Sequence, residues 1–211
     1  MSTLTTQARA LRVAAQLLDY PDEELLGRLP LLRAAASAAG HAAPHLAAVI
    51  DHLSATPPGQ ARTAYVDTFD LRRRCCLYLT YYSYGDTRKR GMALLRFTHA
   101  YRAAGFELAG GELPDHLAVV CEFAAASPAE GLRLFREHRA GVELLRLALS
   151  DSSSPYVAVV DAIRAVLPEA APKDLERALA LAATGPPAEE VGLEPFGPPE
   201  LHGLDHAGAR R

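Results

Sequence analysis

The sequence predicts an all-α protein: one compact domain of about nine or ten helices over residues 1–184, followed by a flexible tail over residues 185–211. Apolar residues make up 49% of the 211-residue chain, which is enough to form a buried core. Alanine and leucine are more frequent than the strand-forming residues valine, isoleucine and threonine. Apolar residues also recur at helical spacing through most of the first 184 residues. The last 27 residues are instead rich in proline and glycine, without periodicity, which is typical of a chain that does not fold by itself.

Start and stop signals place the helices in order. The first covers residues 4–18, and Pro21 ends it. Asp22 is suited to cap the second, which Pro30 is expected to split. Further helices are expected near residues 45–53, 61–69, 75–84, 86–104, 114–126, 128–149 (with a break at Gly141), 155–167 and 172–183.

The segment Cys75–Tyr84 is the ambiguous element. Its composition is typical of a strand, but we interpret it as a buried helix because an isolated strand in a helical chain has no partner. Asp86 is then the expected N-cap of the following helix. Ser127–Glu130 matches a capping box with proline at the first helical position.

Charge and cysteine content indicate a cytoplasmic protein. A net charge of −3 gives no general attraction to nucleic acid or anionic membranes. No apolar run reaches the roughly 18 residues of a membrane-spanning helix, and the first residues lack the pattern of a secretory signal. The three cysteines, two of them adjacent, do not form a disulfide framework, which fits a reducing compartment.

The usual catalytic and metal-binding patterns are missing from the sequence. It contains no phosphate-binding loop, dinucleotide fingerprint or nucleophile elbow. Cys75, Cys76 and Cys121 lack the spacing of zinc ligands and are expected simply to be buried. We therefore predict no catalytic residue, no metal site and no cofactor.

Two charged groups leave alternatives open. The basic triplets at residues 72–74 and 88–90 suit phosphate binding in an adaptor or nucleic-acid-binding protein, or a solvated face paired with nearby aspartates. Asp115 and His116 suit the acid–base pair of a small enzyme, or a helix N-terminus at which the carboxylate favours the dipole. The second interpretation is the better one in both cases.

Two long stretches resemble the NarJ family, the molybdenum cofactor assembly chaperones of respiratory nitrate reductase, which belong with the TorD/DmsD-type redox-enzyme maturation chaperones. They are YVDTFDLRRRCCLYLTYYSYGDTRKRGMALL, from Tyr65, and ELPDHLAVVCEFAA, from Glu112. Residues 65–69 match an aromatic-x-x-leucine-phenylalanine motif with Thr68 in place of leucine. Residues 112–116 match an E-P-x-D-H motif with one extra leucine.

The resemblance implies a TorD-like helical fold and a role without catalysis. A chaperone of this kind binds the N-terminal segment of the catalytic (alpha) subunit of nitrate reductase and keeps it competent for molybdenum cofactor insertion and assembly with its membrane partners. That subunit is the expected partner, and proteins of molybdenum cofactor biosynthesis are further candidates. Nucleic acid and stable membrane insertion are not expected.

A target segment that is amphipathic and partly basic needs an apolar groove with acidic edges. We expect aromatic residues to line that groove, acidic residues to meet the basic ones, and His116 to shape the groove and titrate near neutral pH. The predicted peptide-binding residues are Tyr65, Asp67, Phe69, Asp70, Tyr81, Tyr82, Tyr84, Asp115, His116 and Glu122.

Overall fold

The computed structural model describes residues 3–184, and this part of the chain is all-α, as predicted. It holds eleven α-helices. They are α1 (Thr3–Leu17), α2 (Glu23–Ala36), α3 (Ala43–Ala55), α4 (Pro58–Phe69), α5 (Tyr81–Tyr84), α6 (Arg88–Ala103), α7 (Leu117–Ala126), α8 (Pro128–Glu137), α9 (Arg139–Asp151), α10 (Val157–Val166) and α11 (Pro172–Thr184), with 3-10 turns at Gly40–Ala42 and Arg73–Cys75. The predicted tail lies outside the described residues.

Helix α1 is the centre of the core. Its side chains Leu11 and Leu17 are completely buried. It packs against α2, α3, α7 and α10, and α9 packs against α10 and α11. The N-terminal half of the domain is therefore fixed to α7, whose outward side forms part of the surface described below.

Two expectations about α2 have different outcomes. Asp22 caps the helix as predicted, because its Oδ1 accepts a hydrogen bond of 2.8 Å from the Leu25 N–H. Pro30 does not split the helix, which continues through it to Ala36. Pro30 is exposed, so solvent can reach the carbonyl that loses its hydrogen-bond donor there.

The prediction of a buried helix over residues 75–84 was wrong except in its last four residues. Tyr78 instead forms an isolated antiparallel bridge with His116. The Leu79 N–H donates to the Asp115 carbonyl at 3.1 Å, and the Leu117 N–H donates to the Leu77 carbonyl at 2.8 Å. The strand-like composition thus coincides with a single β-bridge, whose partner is the chain that leads into α7.

Three predicted helix boundaries also differ. Helix α6 begins after Thr87, and Asp86 instead forms an ion pair with Arg90 on the first turn. Ser127 precedes α8 but makes no side-chain capping bond, since its backbone does not adopt a capping conformation. The break between α8 and α9 falls at His138 and not at Gly141.

No helix within residues 3–184 combines the length and the apolar character needed to cross a membrane.

Candidate functional site

A buried polar junction holds the start of α7 against the segment that precedes α5. The Asp115 side chain is fully buried, and its Oδ2 accepts hydrogen bonds from the Thr80 N–H at 3.0 Å and the Thr80 hydroxyl at 2.5 Å. Arg90 Nη2 lies 3.9 Å from the same oxygen. Because burying a carboxyl group is costly unless it is hydrogen-bonded and paired, these contacts offset the cost of burying Asp115.

Arg90 extends the junction outward to the surface. Its Nε donates to the Thr80 hydroxyl at 3.2 Å, and its Nη1 donates to Asp86 at 3.3 Å. The guanidinium also lies over the Tyr78 ring, 5.4 Å from the centroid. The Tyr78 hydroxyl donates to Glu112 at 3.0 Å, so the network reaches the loop before α7.

The junction does not form the acid–base pair that an enzyme would require. Within residues 3–184 no hydrogen bond joins the side chains of Asp115 and His116, and His116 Nδ1 is buried without a partner. Burial lowers the pKa of His116 below its ordinary value of 6.5, so the imidazole is neutral at neutral pH. The predicted titration near neutral pH is therefore displaced to lower pH.

Tyr65 and Phe69 lie in an aromatic cluster of the core. Their ring centroids are 4.8 Å apart, and both pack against Tyr156, at 5.8 and 4.9 Å. The Tyr65 hydroxyl donates to the Leu18 carbonyl at 2.8 Å. With 8% and 6% of their surfaces exposed, Tyr65 and Phe69 do not line an open groove in this structure.

The remaining acidic candidates are separated from one another. Asp67 and Asp70 are exposed on and just after α4, away from the buried side of that helix. Asp115 lies in the junction. Only Glu122, on the exposed side of α7, lies in an open groove.

That groove, which we call the acidic groove, has a volume of about 580 Å³ and lies between α1, α7 and the segment that follows α6. Its walls are mainly apolar, and two glutamates line it. The lining residues are Arg12, Gln16, Tyr101, Phe106, Glu107, Leu108, Ala109, Val119, Glu122, Phe123 and Ala126.

Negative charge accumulates beside the acidic groove. Burial, together with the nearby Glu122 carboxylate, raises the pKa of Asp19 to about 6, and Glu112 adds to the effect. Gln16 donates to Glu122 at 3.4 Å, and Arg12 is the one cationic side chain among the described lining residues. A basic ligand would relieve the repulsion among these carboxylates.

The residues that form the loop wall of the acidic groove are not among the predicted peptide-binding residues. Phe106 and Leu108 are apolar, and they are 40% and 37% exposed. Two large apolar side chains within a polar, glycine-containing turn were the available signal, since a turn has no core of its own in which to bury them.

A second, smaller groove contains two of the predicted tyrosines. We call it the basic groove; its volume is about 140 Å³, and it lies between α5, α9, α11 and the turn at Arg73–Cys75. Its lining residues are Arg73, Arg74, Tyr81, Tyr82, Leu144, Leu147, Ala148, Asp151, Leu181 and Ala182. Tyr82 is fixed there, because its hydroxyl donates to the carbonyls of Arg74 and Cys76, each at 2.9 Å. Tyr84 is half-buried and lies outside this lining.

The two basic triplets do not form one positive surface. Arg72, Arg73 and Arg74 are exposed, whereas Arg90 of the second triplet is largely buried in the junction. The interpretation of a pairing with Asp86 is confirmed for Arg90.

The expected burial of the cysteines is confirmed for two of the three, whereas Cys76 is only partly buried. All three thiols are free, and Cys75 and Cys121 are buried. Burial raises the pKa of Cys76 to about 11, so its reactive thiolate form is rare at neutral pH. Within residues 3–184, His, Cys, Asp and Glu side chains do not gather in any group able to hold a metal ion.

Residues 32–161 match the family model described as nitrate reductase delta subunit. The chain belongs to this family. A Bacillus subtilis relative, named as the nitrate reductase molybdenum cofactor assembly chaperone NarJ, is 33% identical over 156 residues, which cover 72% of this chain and 84% of that protein. The Escherichia coli K12 NarJ chaperone is 28% identical over 154 residues, 71% of this chain and 65% of its own length.

A longer relative contains the same region. The nitrate reductase-like protein NarX of Mycobacterium tuberculosis is 42% identical over 151 residues, 71% of this chain, and the match spans only 23% of NarX. The fold resembles the crystal structure of an Archaeoglobus fulgidus protein assigned to redox enzyme maturation, with a TM-score of 0.57, 23% identity, and coverage of 74% of this chain and 91% of that one.

Proposed function

We propose that this protein is a cytoplasmic assembly chaperone for a respiratory nitrate reductase. It binds the N-terminal segment of the catalytic subunit and keeps that subunit competent for molybdenum cofactor insertion. The observation that carries the proposal is the match to the Bacillus subtilis chaperone over 84% of that protein's length, because it covers nearly the whole relative. Proteins of molybdenum cofactor biosynthesis are further candidate partners.

The acidic groove is the surface we assign to the client segment. Its volume of about 580 Å³ lies within the roughly 300–1,000 Å³ of ordinary ligand sites. Its apolar walls suit the apolar side of an amphipathic helix, and Glu107 and Glu122 suit basic residues on the edge of that helix. Arg12 is the exception, since it would repel a basic client side chain placed next to it.

The other predicted residues divide by position. Tyr65 and Phe69 support this surface indirectly, by packing the core around α1 and α4. Asp115 and His116 position the start of α7, which carries Glu122. Asp67 and Asp70 remain candidates for a more distant contact with the client. Tyr81 and Tyr82 line the basic groove, and Tyr84 lies outside the lining of either groove.

Calorimetry with a synthetic peptide of the catalytic subunit's N-terminal segment tests both the function and the site. We expect saturable binding to the full chain, weakened in the double variant Glu107→Gln/Glu122→Gln. The matched control is Asp67→Asn/Asp70→Asn, which removes the same charge from exposed positions outside the acidic groove.

The two outcomes separate the function from its site. Absence of binding to the unmodified chain contradicts the chaperone proposal. Binding that the control variant weakens, and the Glu107/Glu122 variant leaves intact, keeps the function and moves the client to the α4 surface.

A further inference from the structure

We propose that residues 189–196 of this chain, EEVGLEPF, dock within the same molecule in the basic groove, with Phe196 as the anchor. This inference concerns the basic groove and holds whatever the client of the acidic groove is.

The basic groove presents apolar surface that the described residues leave open. Leu147 is 38% exposed, and Tyr81 and Leu181 are partly exposed, although all three line one concave site. The groove is shared between α9 and α11, two helices that pack closely together. Exposed apolar side chains gathered in a concave site are typical of a surface that another segment covers.

The charged residues at the basic groove favour an acidic segment as its occupant. Arg73 and Arg74 are exposed at its edge, and neither forms an ion pair with any residue between 3 and 184. Asp151 is the one acidic side chain among the described lining residues. A basic client segment would be repelled by the two arginines, whereas a segment that carries Glu189, Glu190 and Glu194 complements them.

The volume of the basic groove suits one aromatic side chain. Its volume of about 140 Å³ is close to the roughly 150 Å³ of a protein cavity that accepts benzene. Phe196 is the one aromatic residue in residues 185–211, and Pro195 precedes it. Proline lowers the conformational entropy that such a segment loses on docking.

The chain that leads to Phe196 starts at the groove itself. Leu181 and Ala182 line the groove, and α11 ends two residues later at Thr184. The twelve residues from Thr184 to Phe196 span at most about 40 Å when extended, so the segment can turn back and reach the groove. A short tether gives an effective concentration on the order of mM, so even an intrinsic affinity on the order of mM keeps the segment docked about half of the time.

Fluorine NMR of the full chain tests this docking without altering the size of the ring. Biosynthetic 4-fluorophenylalanine labels six phenylalanines, and the variant Phe196→Leu assigns the resonance of residue 196. The readout is the change of each resonance frequency between H₂O and D₂O, which reports contact with solvent. Phe106, 40% exposed, is the internal standard for a solvated ring.

We expect the Phe196 resonance to show a smaller solvent isotope shift than that of Phe106. The variants Arg73→Glu/Arg74→Glu and Leu147→Gln should each raise the solvent isotope shift of the Phe196 resonance to the value of Phe106. The control variant Arg102→Glu/Lys173→Glu makes the same charge change at exposed positions outside the groove and should leave it unchanged. Circular dichroism of each variant verifies that its helices are retained.

Three results would overturn the proposal. The first is a Phe196 isotope shift equal to that of Phe106 in the unmodified chain. The second is a Phe196 isotope shift that stays small in folded Arg73→Glu/Arg74→Glu and Leu147→Gln variants. The third is a small Phe196 isotope shift that rises to the Phe106 value on dilution, which would show that a second copy of the chain supplies the segment.

Discussion

The acidic and basic grooves are both apolar, but they differ in charge, size and supporting elements. The acidic groove has about 580 Å³ and is formed by α1, α7 and the loop after α6. The basic groove has about 140 Å³ and is formed by α5, α9, α11 and the turn before α5. One therefore suits an external segment with basic residues, and the other suits a single apolar anchor with acidic neighbours. Apolar surface alone does not distinguish the two; the charged residues at their edges do.

The buried junction connects the supports of the two grooves. Residues 77–79 lead into α5 at the basic groove, and the paired residues 115–117 lead into α7 at the acidic groove. The Asp115 contacts with Thr80 and Arg90 hold these two segments together. The junction positions both grooves without being exposed in either of them.

The largest expected effect comes from breaking the junction. Asp115→Ala leaves the Thr80 N–H without its acceptor and removes the buried carboxylate beside Arg90, which keeps its ion pair with Asp86. We expect the free energy of unfolding to fall by about 3 kcal/mol in urea titrations. Asp67→Ala, at an exposed position, should change it by less than about 0.5 kcal/mol. Equal, small changes in the two variants would contradict the assigned role of the junction.

The second largest expected effect compares the helix packing behind the acidic groove with the packing behind the basic groove. A methyl group at Gly131 would lie 2.2 Å from the Ala124 Cα, where α8 packs on α7, while one at Gly141 would lie 3.0 Å from the Leu79 carbonyl oxygen. Overpacking typically costs about 1–3 kcal/mol, and the cost of Gly131→Ala should lie in the upper part of that range because the backbone must move. Thermal unfolding should show a greater loss for Gly131→Ala than for Gly141→Ala; the reverse order would contradict the packing described here.

The smallest expected effect is a pH dependence of client binding at the acidic groove. Because the pKa of Asp19 is raised to about 6, its carboxylate is largely protonated at pH 5 and ionised at pH 7. Affinity for a basic client peptide should therefore increase between pH 5 and 7, by about two- to fivefold for one partly exposed charge. Calorimetry at several pH values measures this increase.

Two variants test which residue causes the pH dependence of client binding. Asp19→Asn should flatten the profile between pH 5 and 7. His116→Gln should change the profile less than Asp19→Asn does, since burial lowers the pKa of His116 and so favours the neutral imidazole. A profile that depends on His116 and not on Asp19 would contradict this assignment.

Much of the fold could be predicted from local signals, since caps and helical spacing are encoded over a few residues. The Asp22 cap and the helical class are examples. The bridge between Tyr78 and His116 could not be predicted, because the two residues are nearly forty positions apart and local composition does not identify the partner.

The candidate site was harder to predict than the fold. Tyr65 and Phe69 fit a motif, but the motif does not reveal that their rings pack against Tyr156 in the core. Glu122 was among the predicted residues and lines the acidic groove, whereas Phe106 and Leu108 were not predicted, because a single turn does not show which helices lie beside it. Side chains brought together by tertiary packing leave little local trace in the sequence.

The most direct test of the account compares client binding in two charge-neutralised variants of the full chain. Calorimetry with the N-terminal peptide of the catalytic subunit should show affinity about three- to tenfold weaker for Glu107→Gln/Glu122→Gln, from two partly exposed charges. Arg73→Gln/Arg74→Gln should leave the affinity unchanged. Weakening by the arginine variant, with normal binding by the glutamate variant, would place the client in the basic groove and contradict the account.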